Sequence, residues 1–195
     1  MDLMTDEQIH RIMVERREDA IQQFEQADCL FTKAQIDAMY DRMAAEISAQ
    51  IAGLDPIILC VMMGGFVPAA EILKRLEFPF EFDYLHATRY RGETVGGELV
   101  WKVSPGIALQ DRNVLVIDDI LDEGHTLQAI LDALKGQEAE SVRTAILLQK
   151  DHDRRDPAMK PDFLGAMVED RYVFGVGMDY KGYFRQLPAV YALKS

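Results

Sequence analysis

The sequence has little cysteine and little positive charge, and each shortage excludes a class of protein. Two of the 195 residues are cysteine, Cys29 and Cys60. Their spacing fits no metal-ligand motif, so a disulfide scaffold and a cysteine-based zinc site are excluded. The chain has 21 Lys and Arg residues against 33 Asp and Glu residues, which gives a formal net charge of −12. Such a surface repels nucleic acid, and we expect no nucleic-acid partner.

Long apolar runs and sequence repeats are also missing. No stretch approaches the roughly 20 apolar residues that a membrane-spanning helix needs, and the acidic N-terminal segment does not have the pattern of a signal peptide. We therefore expect no membrane association and a cytoplasmic location, which suits unpaired cysteines. Hydrophobic residues still make up 49% of the chain, so residues 1–195 are predicted to form a single globular domain.

The most informative stretch is Val114–Leu127, where a strand pattern leads through an acidic turn into a helix pattern. Four branched apolar residues predict a buried strand, and Asp118 and Asp119 follow them directly. Gly124 permits a tight turn, and the first backbone N–H groups of a helix that begins near Thr126 can bind a phosphate. Carboxylates that can bind a divalent cation, beside a turn that can bind a phosphate, suit a phosphorylated sugar held with Mg²⁺.

A second strand, glycine turn and helix precede this stretch. Residues 56–63 are apolar throughout, which is typical of a strand buried on both faces of a parallel sheet. Gly64 and Gly65 follow, and a helix pattern begins at Phe66. A Gly-Gly turn can bind an anion through its backbone N–H groups, although such a turn is more often a packing feature.

Two other segments are candidates for function. Residues 89–97 are polar and glycine-rich between two strand patterns, which predicts either a mobile loop over a site or a simple hairpin tip. Lys150 follows the predicted strand 141–148. A lysine at the C-terminal end of a buried strand faces the crevice where α/β sheets bind ligands. The alternative is a surface lysine with only its stem packed.

Two motifs carry a resemblance to a known family. Residues 114–126 resemble the phosphoribosyl-pyrophosphate signature of the type I phosphoribosyltransferases: four apolar residues, two acids, two apolar residues, a small or acidic tail and Gly-x-Thr. Residues 172–185 look like the C-terminal purine-binding and metal segment of the hypoxanthine-guanine branch of that family. The resemblance runs from about residue 57 to residue 193.

The resemblance implies an α/β type I phosphoribosyltransferase fold, with a mostly parallel central sheet flanked by helices, a small hood and a mobile lid loop. Residues 1–52 would form an N-terminal helical segment, about 57–160 the core, and about 161–195 the hood and purine-binding segment. The pattern of the N-terminal segment itself predicts two helices, each with an apolar stripe and each starting at a capping box, at Thr5 and at Thr32, with a short break at residues 28–31 between them. The implied activity is the Mg²⁺-dependent, reversible transfer of phosphoribose from phosphoribosyl pyrophosphate to hypoxanthine or guanine. A dimer or tetramer is usual for the family, so a homo-oligomer is expected.

The resemblance also implies a role for each site residue. Asp122 corresponds to the proposed general base near N7 of the purine. The metal residues would be Asp118, Asp119 and Asp179, with the first two also facing the ribose hydroxyls. The residues expected to bind the 5′-phosphate or the pyrophosphate are Glu123, Gly124, His125, Thr126, Gly64, Gly65 and Arg185, together with Asp118 and Asp119.

For the purine, Lys150 would donate to the 6-oxo group, Tyr172 would stack on the base, and the backbone carbonyl of Val173 would accept from the base edge. Arg89 and Tyr90 would belong to the lid.

The chain departs from the family pattern at Met63, where a lysine or arginine is usual, and this weakens the expected pyrophosphate site. Two other interpretations stay open: a phosphoribosyltransferase that prefers xanthine, and a non-catalytic regulator with the same fold.

Overall fold

The structure is a computed structural model that describes residues 5–89 and 99–194. Its centre is a six-stranded sheet with the strand order β4-β3-β2-β5-β6-β7. The strands of this sheet are β2 (Ile57–Val61), β3 (Glu81–Arg89), β4 (Leu99–Val103), β5 (Asn113–Leu121), β6 (Ser141–Asp151) and β7 (Phe163–Glu169). All neighbouring pairs are parallel except β3 and β4. The predicted α/β fold with a mostly parallel sheet is therefore confirmed.

The two faces of the sheet bury alternate residues of the same strand. Ile58 and Cys60 of β2 pack towards helices α2 (Lys33–Ile51) and α3 (Phe66–Leu73), whereas Ile57 and Leu59 pack in a second cluster with helix α4 (His125–Lys135). Each fully buried aliphatic side chain contributes about 1.5–3 kcal/mol of transfer free energy. Because both faces are covered, the central strands are apolar at every position instead of at alternate positions.

The N-terminal segment forms the two predicted helices, α1 (Asp6–Gln26) and α2. Both begin at a capping box: Thr5 accepts from the N–H of Gln8, and Thr32 accepts from the N–H of Gln35. Helix α2 buries one face in the core, but α1 leaves much of its predicted apolar stripe exposed, with Met13 60% exposed. Helix α1 instead packs through its C-terminal half against the hood.

The hood is a three-stranded antiparallel sheet of order β1-β9-β8, formed by β1 (Asp28–Phe31), β8 (Val173–Phe174) and β9 (Val190–Ala192). The expected boundaries differ from these sheets in two ways. Residues 28–31 were expected to be a short break between helices, but their backbone pairs with β9. The expected core ended near residue 160, but β7 pairs with β6, so the larger sheet extends to Glu169.

Strands β3 and β4 pair on either side of the predicted lid, and Arg89 is the last residue of β3. Tyr90 and the rest of that loop lie outside the described residues.

Across residues 5–89 and 99–194, no helix combines the length and the apolar character that a membrane crossing needs.

Candidate active site

Strand β5 carries the acids of the central motif. The strand was expected to end before Asp118, but it continues to Leu121, and Asp118 and Leu121 lie opposite Ile146 and Gln149 of β6. The turn is consequently shorter than predicted, and it runs from Asp122 to Gly124 before α4 begins at His125. Strand β5 pairs with β2 as far as Ile117 and with β6 beyond it, which places the acids at the carboxyl edge of the sheet, where ligands of α/β folds bind.

The glycine turn after β2 lies directly against these acids. A Cβ atom on Gly64 would overlap the carboxylate of Asp119, and a Cβ atom on Gly65 would lie 2.7 Å from the carbonyl oxygens of Val61 and Ile117. Position 65 therefore requires glycine because backbone atoms leave no space, whereas a larger residue at position 64 would displace the Asp119 carboxylate. The predicted pyrophosphate turn and the predicted ribose and metal acids are thus brought together, although they are separated by more than 50 residues of sequence.

Asp118 and Asp119 form a pair of adjacent, half-buried acids in the last part of β5. Among the described residues neither carboxylate takes part in a salt bridge, and each accepts from the backbone N–H of the residue after it, at 2.9 and 2.7 Å. Burial raises the pKa of both groups, and the charge of Asp119 adds to the increase at Asp118. Half-buried carboxylate oxygens that make no salt bridge fit a divalent cation such as Mg²⁺.

The phosphate turn has the geometry that a helix N-terminus needs to bind an anion. Gly124 has φ 83°, and its carbonyl accepts from the N–H of Gln128 at 2.8 Å. The first N–H groups of α4, which include those of His125 and Thr126, have no intrahelical acceptor. The carboxylate of Glu123 is engaged with Arg154 at 3.4 Å and with His125 at 3.6 Å.

A network of opposite charges surrounds Asp122. Nζ of Lys150 lies 2.9 Å from Oδ2 of Asp122 and 3.5 Å from Asp170, and the Lys150 side chain is 15% exposed. Nε2 of His152 lies 2.7 Å from Oδ1 of Asp122, and Arg154 contacts both acids. Burial by itself would raise the pKa of Asp122, but the hydrogen bonds from Lys150 and His152 outweigh it, and the pKa is lowered.

Lys150 is placed as predicted, at the end of β6 and facing the site. His152, Arg154 and Asp170 were not predicted. The signal for the first two was present in the sequence, because a charged run that begins at the strand end directly follows Lys150. The contribution of Asp170 depends on the pairing of β6 with β7, which the sequence does not reveal.

The predicted metal residues are not gathered into one group. In the part of the chain that the structure describes, the group of three potential metal ligands within 4.8 Å of one another is Asp122, His152 and Asp170, and not Asp118, Asp119 and Asp179. Lys150 and Arg154 already form ion pairs with Asp122 and Asp170, so side chains of the protein supply the positive charge of this group. The carboxylate of Asp179 instead pairs with Arg185 and accepts from the N–H of Gly182 at 2.6 Å.

The segment after β8 connects the hood to the glycine turn. A Cβ atom on Gly177 would overlap the carbonyl oxygen of Gly64, and Arg185 donates to the Gly177 carbonyl at 2.6 Å. Tyr172 is 50% exposed, and its hydroxyl donates to the Asp179 carbonyl at 3.0 Å, which fixes the ring beside the site. Val173 follows with a buried side chain in β8. An exposed, fixed aromatic face is suited to stacking on a planar base.

Comparisons with known proteins agree with this geometry. A family model described as the phosphoribosyl transferase domain matches residues 29–181. The chain is 30% identical over 165 residues to a hypoxanthine-guanine-xanthine phosphoribosyltransferase of Tritrichomonas foetus, which covers 85% of this chain and 90% of that protein. It is 28% identical over 166 residues to the hypoxanthine-guanine phosphoribosyltransferase of Bacillus subtilis (strain 168), with coverages of 85% and 92%.

A further relative is longer than this chain. The bifunctional protein TilS/HprT of Listeria innocua is 30% identical over 166 residues, which are 85% of this chain and 26% of that protein.

Solved structures show the same fold. A hypoxanthine phosphoribosyltransferase from Staphylococcus aureus superposes with a TM-score of 0.82 at 25% identity, covering 88% of this chain and 94% of that one. A structure of the enzyme from Trypanosoma cruzi in a ternary substrates complex has a TM-score of 0.81 at 25% identity, with coverages of 87% and 97%.

Proposed function

The chain belongs to the phosphoribosyl transferase domain family, and from this premise we propose that it is a purine-salvage enzyme that uses phosphoribosyl pyrophosphate and a 6-oxopurine. The proposed reaction joins hypoxanthine or guanine to the ribose C1′, releases pyrophosphate, and gives IMP or GMP. It is reversible and depends on Mg²⁺. The names of the relatives from Tritrichomonas foetus and Bacillus subtilis support this substrate class.

The observation that carries the proposal is the pair formed by Lys150 and Asp122, with 2.9 Å between Nζ and Oδ2, at the carboxyl edge of the sheet. An ammonium group donates to a 6-oxo group, whereas the 6-amino group of adenine is itself a donor, so this site selects oxopurines. The neighbouring carboxylate accepts the purine proton as N9 attacks C1′ and the bond from C1′ to pyrophosphate breaks. One strand end thus supplies both base recognition and proton transfer.

The other residues bind and orient the two substrates. The turn formed by Glu123, Gly124, His125 and Thr126 holds the 5′-phosphate on backbone N–H groups and the Thr126 hydroxyl. The pyrophosphate is held by the backbone of Gly64 and Gly65 and by the guanidinium of Arg185.

At the base and the ribose, Tyr172 stacks on the purine and the Val173 carbonyl accepts from its edge. Asp118 and Asp119 would hold the ribose hydroxyls and the water shell of Mg²⁺. Asp179, which pairs with Arg185 in the structure, would be a further ligand. The metal, when bound, offsets the negative charge of the pyrophosphate. A lid that includes Arg89 and Tyr90 keeps water from the reacting carbon.

A second candidate is a phosphoribosyltransferase that prefers xanthine. Lys150 and Tyr172 recognise any 6-oxopurine and do not rank hypoxanthine, guanine and xanthine. The relative from Tritrichomonas foetus is named for all three bases, which favours keeping xanthine among the substrates. A non-catalytic regulator is the weaker alternative, because the acids and the lysine that such a protein could lose are all present in the sequence.

The decisive experiment is an activity screen with phosphoribosyl pyrophosphate against hypoxanthine, guanine, xanthine and adenine, with and without Mg²⁺. We expect pyrophosphate release with hypoxanthine or guanine, no turnover with adenine, and loss of turnover when Mg²⁺ is removed. Turnover with xanthine at a higher kcat/KM than with hypoxanthine would support the second candidate. No turnover with any base, by a folded protein that binds IMP, would support the regulator.

Three expectations about partners and location complete the proposal. A net charge of −12 supports the absence of a nucleic-acid partner, and unpaired Cys29 and Cys60 support a cytoplasmic location. A dimer or tetramer is supported by exposed apolar side chains beside the glycine turn, Met63, Phe66, Phe82 and Tyr84. Sedimentation velocity over a concentration series will give the oligomeric state.

A further inference from the structure

Among the side chains that contact the Asp122 carboxylate, His152 lies nearest, and the proposed mechanism assigns it no role. The imidazole is 4% exposed, and its Nε2 lies 2.7 Å from Oδ1 of Asp122. The Asp122 side chain is itself 45% exposed, so the buried ring is the more firmly held partner. We propose that His152 is a positioning residue that holds the Asp122 carboxylate in the orientation in which it accepts the purine proton.

The hydrogen bonds of the ring select one neutral tautomer. The backbone N–H of Arg154 donates to Nδ1 of His152 at 3.2 Å, so Nδ1 is an acceptor and carries no proton. The ring proton is therefore on Nε2, which donates to Asp122. The other tautomer would place a lone pair against the carboxylate and two N–H groups against each other, and both contacts are repulsive.

The two oxygens of Asp122 have different partners. Lys150 donates to Oδ2 at 2.9 Å, and His152 donates to Oδ1 at 2.7 Å. Together they prevent rotation of the carboxylate about the Cβ–Cγ bond. If the proposed function holds, Lys150 also turns towards the 6-oxo group when a purine binds, and its hydrogen bond to Asp122 becomes weaker. His152 does not contact the substrate in that scheme, so it keeps the carboxylate oriented throughout the reaction.

The charges around the ring argue for this role over metal binding. The groups that face His152 are Asp122 from the phosphate turn, Lys150 at the end of β6, Arg154 of its own loop and Asp170 after β7. Asp122, His152 and Asp170 have the separations of a metal site. However, Lys150 and Arg154 already bind the two acids, and a divalent cation would have to displace both.

The test compares two variants of His152 with a control from the same loop. His152→Leu removes the donor to Asp122, and His152→Gln keeps an N–H near the Nε2 position. The control is Asp153→Asn, which changes an exposed neighbour. We expect kcat of His152→Leu to fall about 10- to 100-fold, the cost of a misplaced catalytic group, while KM for phosphoribosyl pyrophosphate stays unchanged. We expect His152→Gln to recover most of the loss.

The pH profile separates positioning from plain structural support. The His152 hydrogen bond helps to lower the pKa of Asp122, so its removal raises that pKa and moves the acid limb of kcat/KM to higher pH. A variant that is destabilised without a change in the carboxylate does not move this limb. Unchanged kcat and an unchanged acid limb in His152→Leu would overturn the proposal. A higher KM for phosphoribosyl pyrophosphate in His152→Leu that is not reversed in His152→Gln would also overturn it.

A measurement without substrate keeps this inference separate from the proposed function. Long-range ¹H–¹⁵N spectra of the free wild-type protein, assigned with His152→Gln, report which ring nitrogen of His152 is protonated. We expect a protonated Nε2 and a bare Nδ1; the reverse tautomer, or Zn²⁺ bound to the ring at one equivalent, would refute the hydrogen-bond scheme. An inactive wild type with the expected tautomer would count against the proposed function, whereas an active wild type whose turnover ignores His152 would count against this inference.

Discussion

The two ends of one acidic stretch have opposite electrostatic environments. At one end, Asp118 and Asp119 form no salt bridge among the described residues, and burial raises the pKa of both, with the charge of Asp119 adding to the increase at Asp118. At the other end, Asp122 is three residues further along the chain, and Lys150, His152 and Arg154 surround it. Its pKa is lowered. The same residue type is thus prepared for two different tasks within five positions.

The difference arises from where each acid stands on the sheet. Asp118 and Asp119 are still part of β5, and the Gly64–Gly65 turn that faces them contributes no side chain. Asp122 lies beyond the strand, where the end of β6 brings its own cations. We infer that the first end receives its cation from outside, with the substrate, whereas the second end has its cations fixed in advance. A proton acceptor must stay ionised before the substrate arrives, and a metal site need not.

The most severe test of this comparison is Asp122→Asn, which removes the proposed proton acceptor and keeps the shape of the side chain. We expect kcat to fall roughly 10- to 10⁴-fold, the range for general acid–base groups, with little change in purine binding. Steady-state kinetics together with calorimetry of IMP binding will measure both quantities. An unaltered kcat would show that the charged network around Asp122 has only a structural role. The difference in environment between Asp122 and the pair Asp118 and Asp119 would then not matter for catalysis.

The next largest effect is expected for Lys150→Ala, which removes the main cation of the second end. The affinity for a 6-oxopurine nucleotide should fall by about 1–3 kcal/mol, because a charged donor to the base is lost. The matched control is Lys160→Ala, which removes an exposed lysine from the loop after β6. Equal calorimetric affinities in Lys150→Ala and the wild type would remove Lys150 from the purine site.

The first end of the stretch was the more predictable from sequence. Local order suffices there, because apolar residues, two acids, a glycine and a threonine follow one another along β5, the turn and α4. The predicted strands of the sheet and both capping boxes were recovered for the same reason. The position of Lys150 was also predictable, since the end of a buried strand determines where its side chain lies.

The second end could not be predicted in full, because it depends on contacts between distant residues. Asp170 reaches the site through the pairing of β6 with β7. The charged run after Lys150 indicates a loop that contains His152, but it does not indicate the bend that turns the imidazole towards Asp122. The strand β1 was missed in a similar way, since four residues between two helices form a strand only when β9 pairs with them. Pairings of this kind are determined by the whole fold and leave little trace in the local sequence.

A smaller effect, of the opposite sign, is expected for the stability of Asp118→Asn. A carboxyl group whose pKa is raised on folding stabilises the protein below that pKa and loses this contribution as the pH rises through it. Above the ordinary pKa of an aspartate, the raised pKa of the pair therefore lowers the stability of the fold relative to low pH. Without Mg²⁺, the variant should unfold about 2–4 °C higher than the wild type, equivalent to about 1 kcal/mol.

Scanning calorimetry at several pH values will test this sign, with Asp153→Asn as a control for the loss of one negative charge. The gain should shrink as the pH is lowered and the wild-type pair becomes protonated. An increase in unfolding temperature that is equal at low and neutral pH, or equal in the control, would mean that the charges of Asp118 and Asp119 do not destabilise the fold.

The smallest expected effect comes from Met63→Lys, which would give the first end a cation of its own. Met63 is 49% exposed and precedes Gly64, so a lysine there can extend towards the anion site without displacing the core. A partly exposed charge–phosphate contact contributes about 1 kcal/mol, or roughly a fivefold lower inhibition constant for pyrophosphate. Met13→Lys, at an exposed methionine of α1, adds the same charge elsewhere. Equal inhibition constants in the two variants would show that only the net charge of the protein matters. Tighter pyrophosphate binding in Met63→Lys alone would show that residue 63 lies beside the anion site. In the wild-type protein Met63 offers no charge there, so the cation at this end would have to arrive with the substrate.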